Sequence, residues 1–426
     1  MKKAVSALLA LTTAVGLLAG CSSDAQSTSS KSGDAGGKKV ELKLFIAQPR
    51  FKAQYEKYLE QFKKKEKAEK NIDVTIKLEL PNQNQASQLL KTRLASGDSP
   101  DVFALHAIND IPLFDKAGYL EDLSNEPFVD KIYDTIKPAV TSKGKVVAVP
   151  LETLQWGYLY NKKIFNDLNL KVPQTISEMK EVVKVLKEHN ITPFLLSYKD
   201  VYVPQLFLPL TVGAAVNTDQ PDFINKMSKG EGSFSELKNM FDIIDLVNGN
   251  GTGRALEVGA DQGASDFANG KAAMWVQGPW MAESITKANK DFEFAVAPLP
   301  VNDNPKATLL NLSTSTSLAV SKLSKNKEVA KDFVNYILDD NDSSDFYKSL
   351  GFNAVAKVHN FEPYAWMKEA NDYVKQGQAY QDPAIPSAVK DESQKLLQSY
   401  SAGNTKKEDV VKGLDRAWEQ FEKINK

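Results

Sequence analysis

The sequence predicts an α/β protein. Three stretches read as strands: the alternating Val40, Leu42, Leu44, Ile46; the alternating Ile72, Val74, Ile76, Leu78, Leu80; and the short run "DVFAL" ending at Leu105. Alternation of period two marks a half-buried strand. Between them lie apolar residues at helical spacing. Phe51, Tyr55, Tyr58, Leu59 and Phe62 form one such face, and Leu89, Leu90 and Leu94 another. A β-α-β-α-β order of this kind builds a sheet layered by helices.

The elements follow in chain order. Lys2 and Lys3 precede a mostly apolar run from Ala4 to Leu18, the pattern of a secretory signal peptide over residues 1–20. It ends in "LLAGC", and Cys21 is the single cysteine of the chain. Leu18-Ala19-Gly20-Cys21 resembles the bacterial lipobox, in which the cysteine sulfur is lipidated after cleavage. A free thiol behind an ordinary signal peptide is the alternative. Residues 21–38 are rich in Ser, Gly and Ala, the composition of a flexible tether.

Within the body, the charged run Lys63 to Lys70 reads as the solvated end of the first helix. "SGDSP" breaks the second helix before the third strand. Thr175 and Glu178 form a T-x-x-E capping box for a helix that buries Met179, Val182, Val183 and Leu186 and stops at Asn190. Val201 to Val216 is too short to span a membrane and contains Pro204 and Pro209, so it reads as buried core or cleft wall. A helix around Asp332 to Leu338 turns Ala330, Phe333, Val334 and Ile337 inward. The last helix starts at a second T-x-x-E box, Thr405 and Glu408, and buries Trp418.

Charge and motifs exclude several functions. Lys plus Arg (53) nearly balance Asp plus Glu (54), which removes the basic excess a nucleic-acid binder needs. A lone cysteine excludes internal disulfides and thiolate metal sites. No phosphate-cradling, zinc-hydrolase, nucleophile-elbow or dinucleotide motif occurs. The histidines 106, 189 and 359 are scattered. "DDNDSSD" from Asp339 lacks the glycine and distal glutamate of a calcium loop and reads as a solvated helix end. "NGNGTG" from Asn248 reads as a flexible loop. No enzyme, cofactor or metal site is expected, although a convergent carboxylate pair, as in glycosidases, stays open.

Four stretches carry a resemblance: "SGDSPDVFAL" with "FDKAGYLEDLS"; "GKVVAVPLETLQWGYLYNKKIF" with "NLKVPQTISEM"; "FANGKAAMWVQGPW"; and "FEFAVAPLP". In this order they resemble the extracellular solute-binding proteins of carbohydrate ABC transporters. The resemblance implies a two-lobed periplasmic-binding-protein-like fold of type II, with hinged lobes and a ligand cleft between them. Lobe 1 would comprise 39–150 plus about 312–355, and lobe 2 would comprise 151–311 plus about 356–426. It implies a non-catalytic, monomeric receptor, held by lipid at the extracytoplasmic face of the cell membrane, that hands a sugar to ABC permease subunits. A surface adhesin is a further alternative.

Sugar recognition needs flat aromatic faces and matched polar groups. Trp280 stands at a strand-to-helix corner after Gly278-Pro279, where α/β clefts bind ligands, and the resemblance makes it the stacking tryptophan. Trp275 lies mid-strand, its face shared with Ala273 and Gln277, and reads first as structural. Trp156 either stacks on ligand or bridges the lobes. Glu152 either meets a ligand hydroxyl or sits in a solvated turn, while Tyr160 and Asn161 read as structural. The resemblance adds Tyr202, Asn109, Asp110, Gln48, Arg50 and Tyr380 as cleft contacts. Core packing for Tyr202, an N-cap for Asn109 or Asp110, and a helix start at Pro49 are the alternatives.

Overall fold

In the computed structural model, the structure describes residues 37–81, 83–361 and 364–425. Signal peptide, Cys21 and nearly all of the tether lie outside them. β1 (Lys38–Phe45) and β2 (Ile72–Glu79) pair in parallel along their full length, and β1 pairs in parallel with β3 (Val102–Leu105). The Lys52–Lys70 and Gln83–Ser96 helices link them, in the order the sequence predicts. The first stops at Asn71, whose left-handed backbone (φ 53°) closes the last turn. Its lysines are only partly solvated: Lys65 pairs with Asp339 at 2.6 Å and Lys70 with Asp332 at 2.5 Å. The acids of "DDNDSSD" thus partly serve to dock this helix.

A short hairpin, β4 (Thr141–Ser142) and β5 (Lys145–Val146), precedes β6 (Val149–Trp156). After Gly157 the chain enters β7 (Tyr158–Asn161), which belongs to a second sheet with β8 (Met274–Trp275) and β9 (Phe294–Ala297), ordered β8-β7-β9. Gly157 is required by space: a Cβ there would lie 2.4 Å from the Ala297 carbonyl oxygen. β10 (Leu310–Val320) returns to the large sheet. It runs antiparallel to both β3 and β6 and parallel to β11 (Ala379–Gln381). β6 and β10 are therefore the crossing strands between the sheets. The strand pairs at Leu310–Leu312 and Ala379–Gln381 sit at the edge of the large sheet, although the sequence expectation grouped 310–311 and 379–381 with the second lobe.

The helices divide accordingly. Lys327–Ile337 packs on β1, β6 and β10, and Ser343–Leu350 on the first helix. Ser387–Ser401 and Lys407–Asn425 pack on each other and on elements between Tyr202 and Glu236. The Ile176–Glu188 helix has the expected cap: the Thr175 hydroxyl accepts the Glu178 N–H at 3.1 Å. The reciprocal bond shifts by one residue, since Glu178 accepts from the Gln174 N–H instead. Such a cap contributes about 1 kcal/mol. Asn190 ends the chain turn with φ 58°. Trp418 is buried against Phe234, as its helical face predicts. The Phe207–Val216 helix is almost wholly buried, which explains its composition without a membrane. No helix among the described residues is long and apolar enough to cross one.

Candidate functional site

The site starts at the corner the sequence singles out. Only Met274 and Trp275 form ladder pairs there, and Ala272 to Gly278 is buried on both faces. Gly278-Pro279 then turns the chain into a short 3-10 turn (Pro279–Met281) and the Ala282–Ala288 helix. Trp280 emerges half-buried. Its ring lies against Gly278, where a Cβ would come within 2.2 Å of it. The Tyr202 hydroxyl takes hydrogen bonds from the Trp280 side chain and from Gln277 Nε2 at 3.2 Å. Gln277 is fully buried, and its Oε1 accepts the Gly278 N–H. Burial raises the Tyr202 pKa, and these two hydrogen bonds oppose the rise. The indole is thereby fixed before any ligand arrives.

Trp156 closes the third side. It meets Trp280 edge to face, with centroids 5.7 Å apart and planes at 64°. Trp156 ends β6, so it shares a strand face with Leu154 and Glu152. Opposite Trp156 on β10 stands Asn311, which donates to the Tyr380 hydroxyl (3.2 Å) and to Asp382 Oδ1 (3.1 Å). Asp382 Oδ2 receives Lys390 at 3.2 Å. His106 lies within the field of this pair. Burial lowers its pKa, and Lys390 lowers it further against the pull of Asp110 and Asp382. Side chains of β10, the C-terminal segment and the His106 turn thus converge on the region that Trp156 borders.

The remaining expectations are redistributed. Tyr380 is 5% exposed; its ring fills the space above Gly213, and its hydroxyl is shared between Asn311 and the Pro209 carbonyl. It supports Asn311 from within the core. Trp275 is fully buried, packed on Phe267 and bonded to Ser197, so it offers no surface to a ligand. Asn109 is exposed on the Ala107–Lys116 helix. Asp110 turns back to accept the His106 N–H at 2.9 Å, a helix-start role. His106, not either of these two, is the N-cap. Arg50 stands in the Pro49–Phe51 3-10 turn, and its side chain lies outside the description. Gln48 is 5% exposed, with its amide committed inside the protein to Glu152, Thr316 and Tyr55. Tyr160 and Asn161 are structural: Tyr160 bonds Glu369, and Asn161 caps the next helix through the Ile164 N–H.

Sequence reasoning missed Gln277, Asn311, Asp382, Lys390 and His106. A usable signal existed for β10: "NLSTSTSL" alternates Ser with β-branched Thr between two leucines, a strand-favouring composition. A separate cavity of 220 Å³ bordered by Thr211, Asn239 and Asn302 shares no residue with the corner. Among the described residues, no three His, Cys, Asp or Glu side chains cluster as a metal site would need.

The arrangement offers one half-buried indole, Trp280, braced by the buried Trp156 ring and hydrogen-bonded to Tyr202, which buried Gln277 also bonds. Comparison with known proteins decides the family. The profile of the bacterial extracellular solute-binding proteins matches residues 48–342. The chain belongs to this family. The solute-binding protein is 26% identical over 328 residues to the multiple sugar-binding protein of Streptococcus mutans, spanning 75% of each chain. Its fold matches the apo form of RafE from Streptococcus pneumoniae with a TM-score of 0.78 and 21% identity, over 91% of this chain and 98% of that one. Against a raffinose complex of RafE the TM-score is 0.63, over 91% and 100% of the two chains, again at 21% identity. The family consists of binding proteins and not enzymes, and the two-sheet α/β architecture is its two-lobed fold.

Proposed function

We propose that this solute-binding protein captures a mono- or oligosaccharide and delivers it to the permease of an ABC importer. The observation that carries the reading is the fixed Trp156–Trp280 corner beside the crossing strands, backed by Gln277, Asn311 and Tyr202. An indole face matches the C–H patches of a sugar ring, and amides and hydroxyls match its rim. The sugar-binding relative supports the same ligand class. Trp280 is the stacking contact, and Trp156, buried beside it in this conformer, braces it edge to face. Tyr202, bonded to the Trp280 side chain, and Asp110 and Asn109 on the Ala107–Lys116 helix are the polar candidates.

Lobe 1 comprises the large sheet with the helices on it, and lobe 2 the three-stranded sheet with the C-terminal helices. The better match to sugar-free RafE than to its raffinose complex supports reading the present conformer as open. A ligand that touches both lobes only when they close shifts the equilibrium by its differential affinity. A lipidated Cys21 holds a monomer at the extracytoplasmic face of the cell membrane, since two acyl chains suffice for stable anchoring.

A panel of sugars tested by thermal shift, with product analysis, checks this. A sugar that raises the melting temperature and is recovered intact supports the receptor. Hydrolysis would favour a glycosidase, and silence across the panel would favour an adhesin.

A further inference from the structure

Glu152 is the residue whose surroundings the binding role does not explain. β10 and β6 pair in one constant register from Asn311↔Trp156 to Thr314↔Thr153. Ser315 then has no partner, Thr316 pairs with Glu152, and Leu151 is skipped before Ser317↔Pro150 restores the original register. Two one-residue irregularities of opposite sense therefore flank the Glu152–Thr316 pair. Each removes ladder hydrogen bonds and bends its strand, and Pro150 contributes no N–H. The irregularity also marks where β10 changes company. From Ser317 onward it is held by β3, and from Leu310 to Leu312 by β11. The ladder is weakest at the point where the crossing strands leave the centre of the large sheet.

Side chains replace the missing ladder. Glu152 Oε2 accepts from Gln48 Nε2 at 3.1 Å, Ser315 Oγ at 3.0 Å and Thr316 Oγ1 at 3.2 Å. Gln48 Nε2 also reaches Thr316 Oγ1 at 3.1 Å. Gln48 Oε1 accepts from Tyr55, whose ring is fully buried in the first helix. The loop after β1 is thus tied through Gln48 to both crossing strands at their irregularity.

We propose that Glu152 is a positioning residue: with Gln48 and Thr316 it forms a clip that braces the crossing strands in the open conformer and so sets the open–closed equilibrium. This rests on the receptor reading and on the present conformer being the open one. Bending at the irregularity on closure separates the loop from the strands and breaks the clip. Loss of the clip then raises the closed population, and apparent affinity rises with it. A sugar contact at Glu152 predicts the opposite sign.

The test uses the mature full chain, the best-binding sugar from the panel, and two variants, Glu152→Gln and Thr316→Val. Thr316 is 5% exposed, and its replacement is near isosteric. Small-angle scattering of the sugar-free proteins and calorimetric titration are the readouts, after far-ultraviolet dichroism confirms folding. The expected result is a smaller sugar-free radius of gyration for both variants and a Kd at least threefold lower, with slower dissociation. A raised Kd for Glu152→Gln with an unchanged sugar-free shape and a neutral Thr316→Val overturns the clip and makes Glu152 a sugar contact. Wild-type protein that never compacts with any sugar overturns the receptor reading itself, and the clip with it.

Discussion

Trp156 ends a strand of the large sheet and Trp280 sits in the turn that follows the three-stranded one, yet they meet edge to face at 5.7 Å, with Gly278 leaving room for the Trp280 ring. Edge-to-face geometry is the favoured one for two rings and adds about 0.5–1.5 kcal/mol beyond burial. It leaves Trp280 half-buried and held on three sides. Replacing Trp280 by alanine is expected to weaken sugar binding at least tenfold with little change in melting temperature. Unaltered calorimetric titration of that variant would remove Trp280 from the site.

Gly278 tests whether placement of the ring matters, separately from its presence. Its φ of −128° suits any residue, so the constraint is space alone. Gly278→Ala must displace the Trp280 ring. Affinity is expected to fall about as far as in Trp280→Ala, while tryptophan fluorescence shifts toward the solvent-exposed range. Retained affinity would show that the ring position is not selective.

Tyr202→Phe removes the acceptor of the Gln277 Nε2 bond and leaves that buried donor without this partner, while Oε1 keeps the Gly278 N–H. An unsatisfied buried donor costs about 1–3 kcal/mol. Chemical denaturation should report a loss of that size, together with weaker binding. A loss of stability alone would place Tyr202 behind the site and not in it.

His359 makes stability depend on pH. Its Nδ1 accepts the Val355 N–H at 3.1 Å, so the ring is neutral, with its proton on Nε2 toward Ser343 at 2.8 Å. Burial holds its pKa down at about 3, against about 6.5 in the unfolded chain. Between those values the unfolded chain binds a proton that the folded one refuses, so stability rises with pH. The contribution is complete above about pH 6.5 and is lost progressively as pH falls toward 3, by about 3–5 kcal/mol in all. Urea midpoints at pH 4.5 and 7.5 should differ less in His359→Gln than in the wild type. Equal differences would refute the assignment.

Much of the fold was legible because its local signals agree with its global design. Alternation in β1 and β2 survives because those strands bury one face of a layered sheet. Alternation failed at Ala273 to Gln277 because that segment is enclosed on both sides, so Gln277 is as buried as Trp275. Trp280 was readable from its Gly-Pro corner. Asn311, Asp382 and Lys390 were not, because each is ordinary in its own segment and gains meaning only where β10 and β11 adjoin. Gln48 and Glu152 bond to each other and to Thr316, across sequence distances no local pattern spans.

The central claim is that the two sheet-bearing halves close on an intact sugar. Small-angle scattering of the mature chain, with and without the sugar that most raises its melting temperature, tests this most directly. The account predicts a smaller radius of gyration in the saturated sample, reversed on removal of the sugar. Identical scattering curves at a concentration where calorimetry shows full occupancy would contradict it.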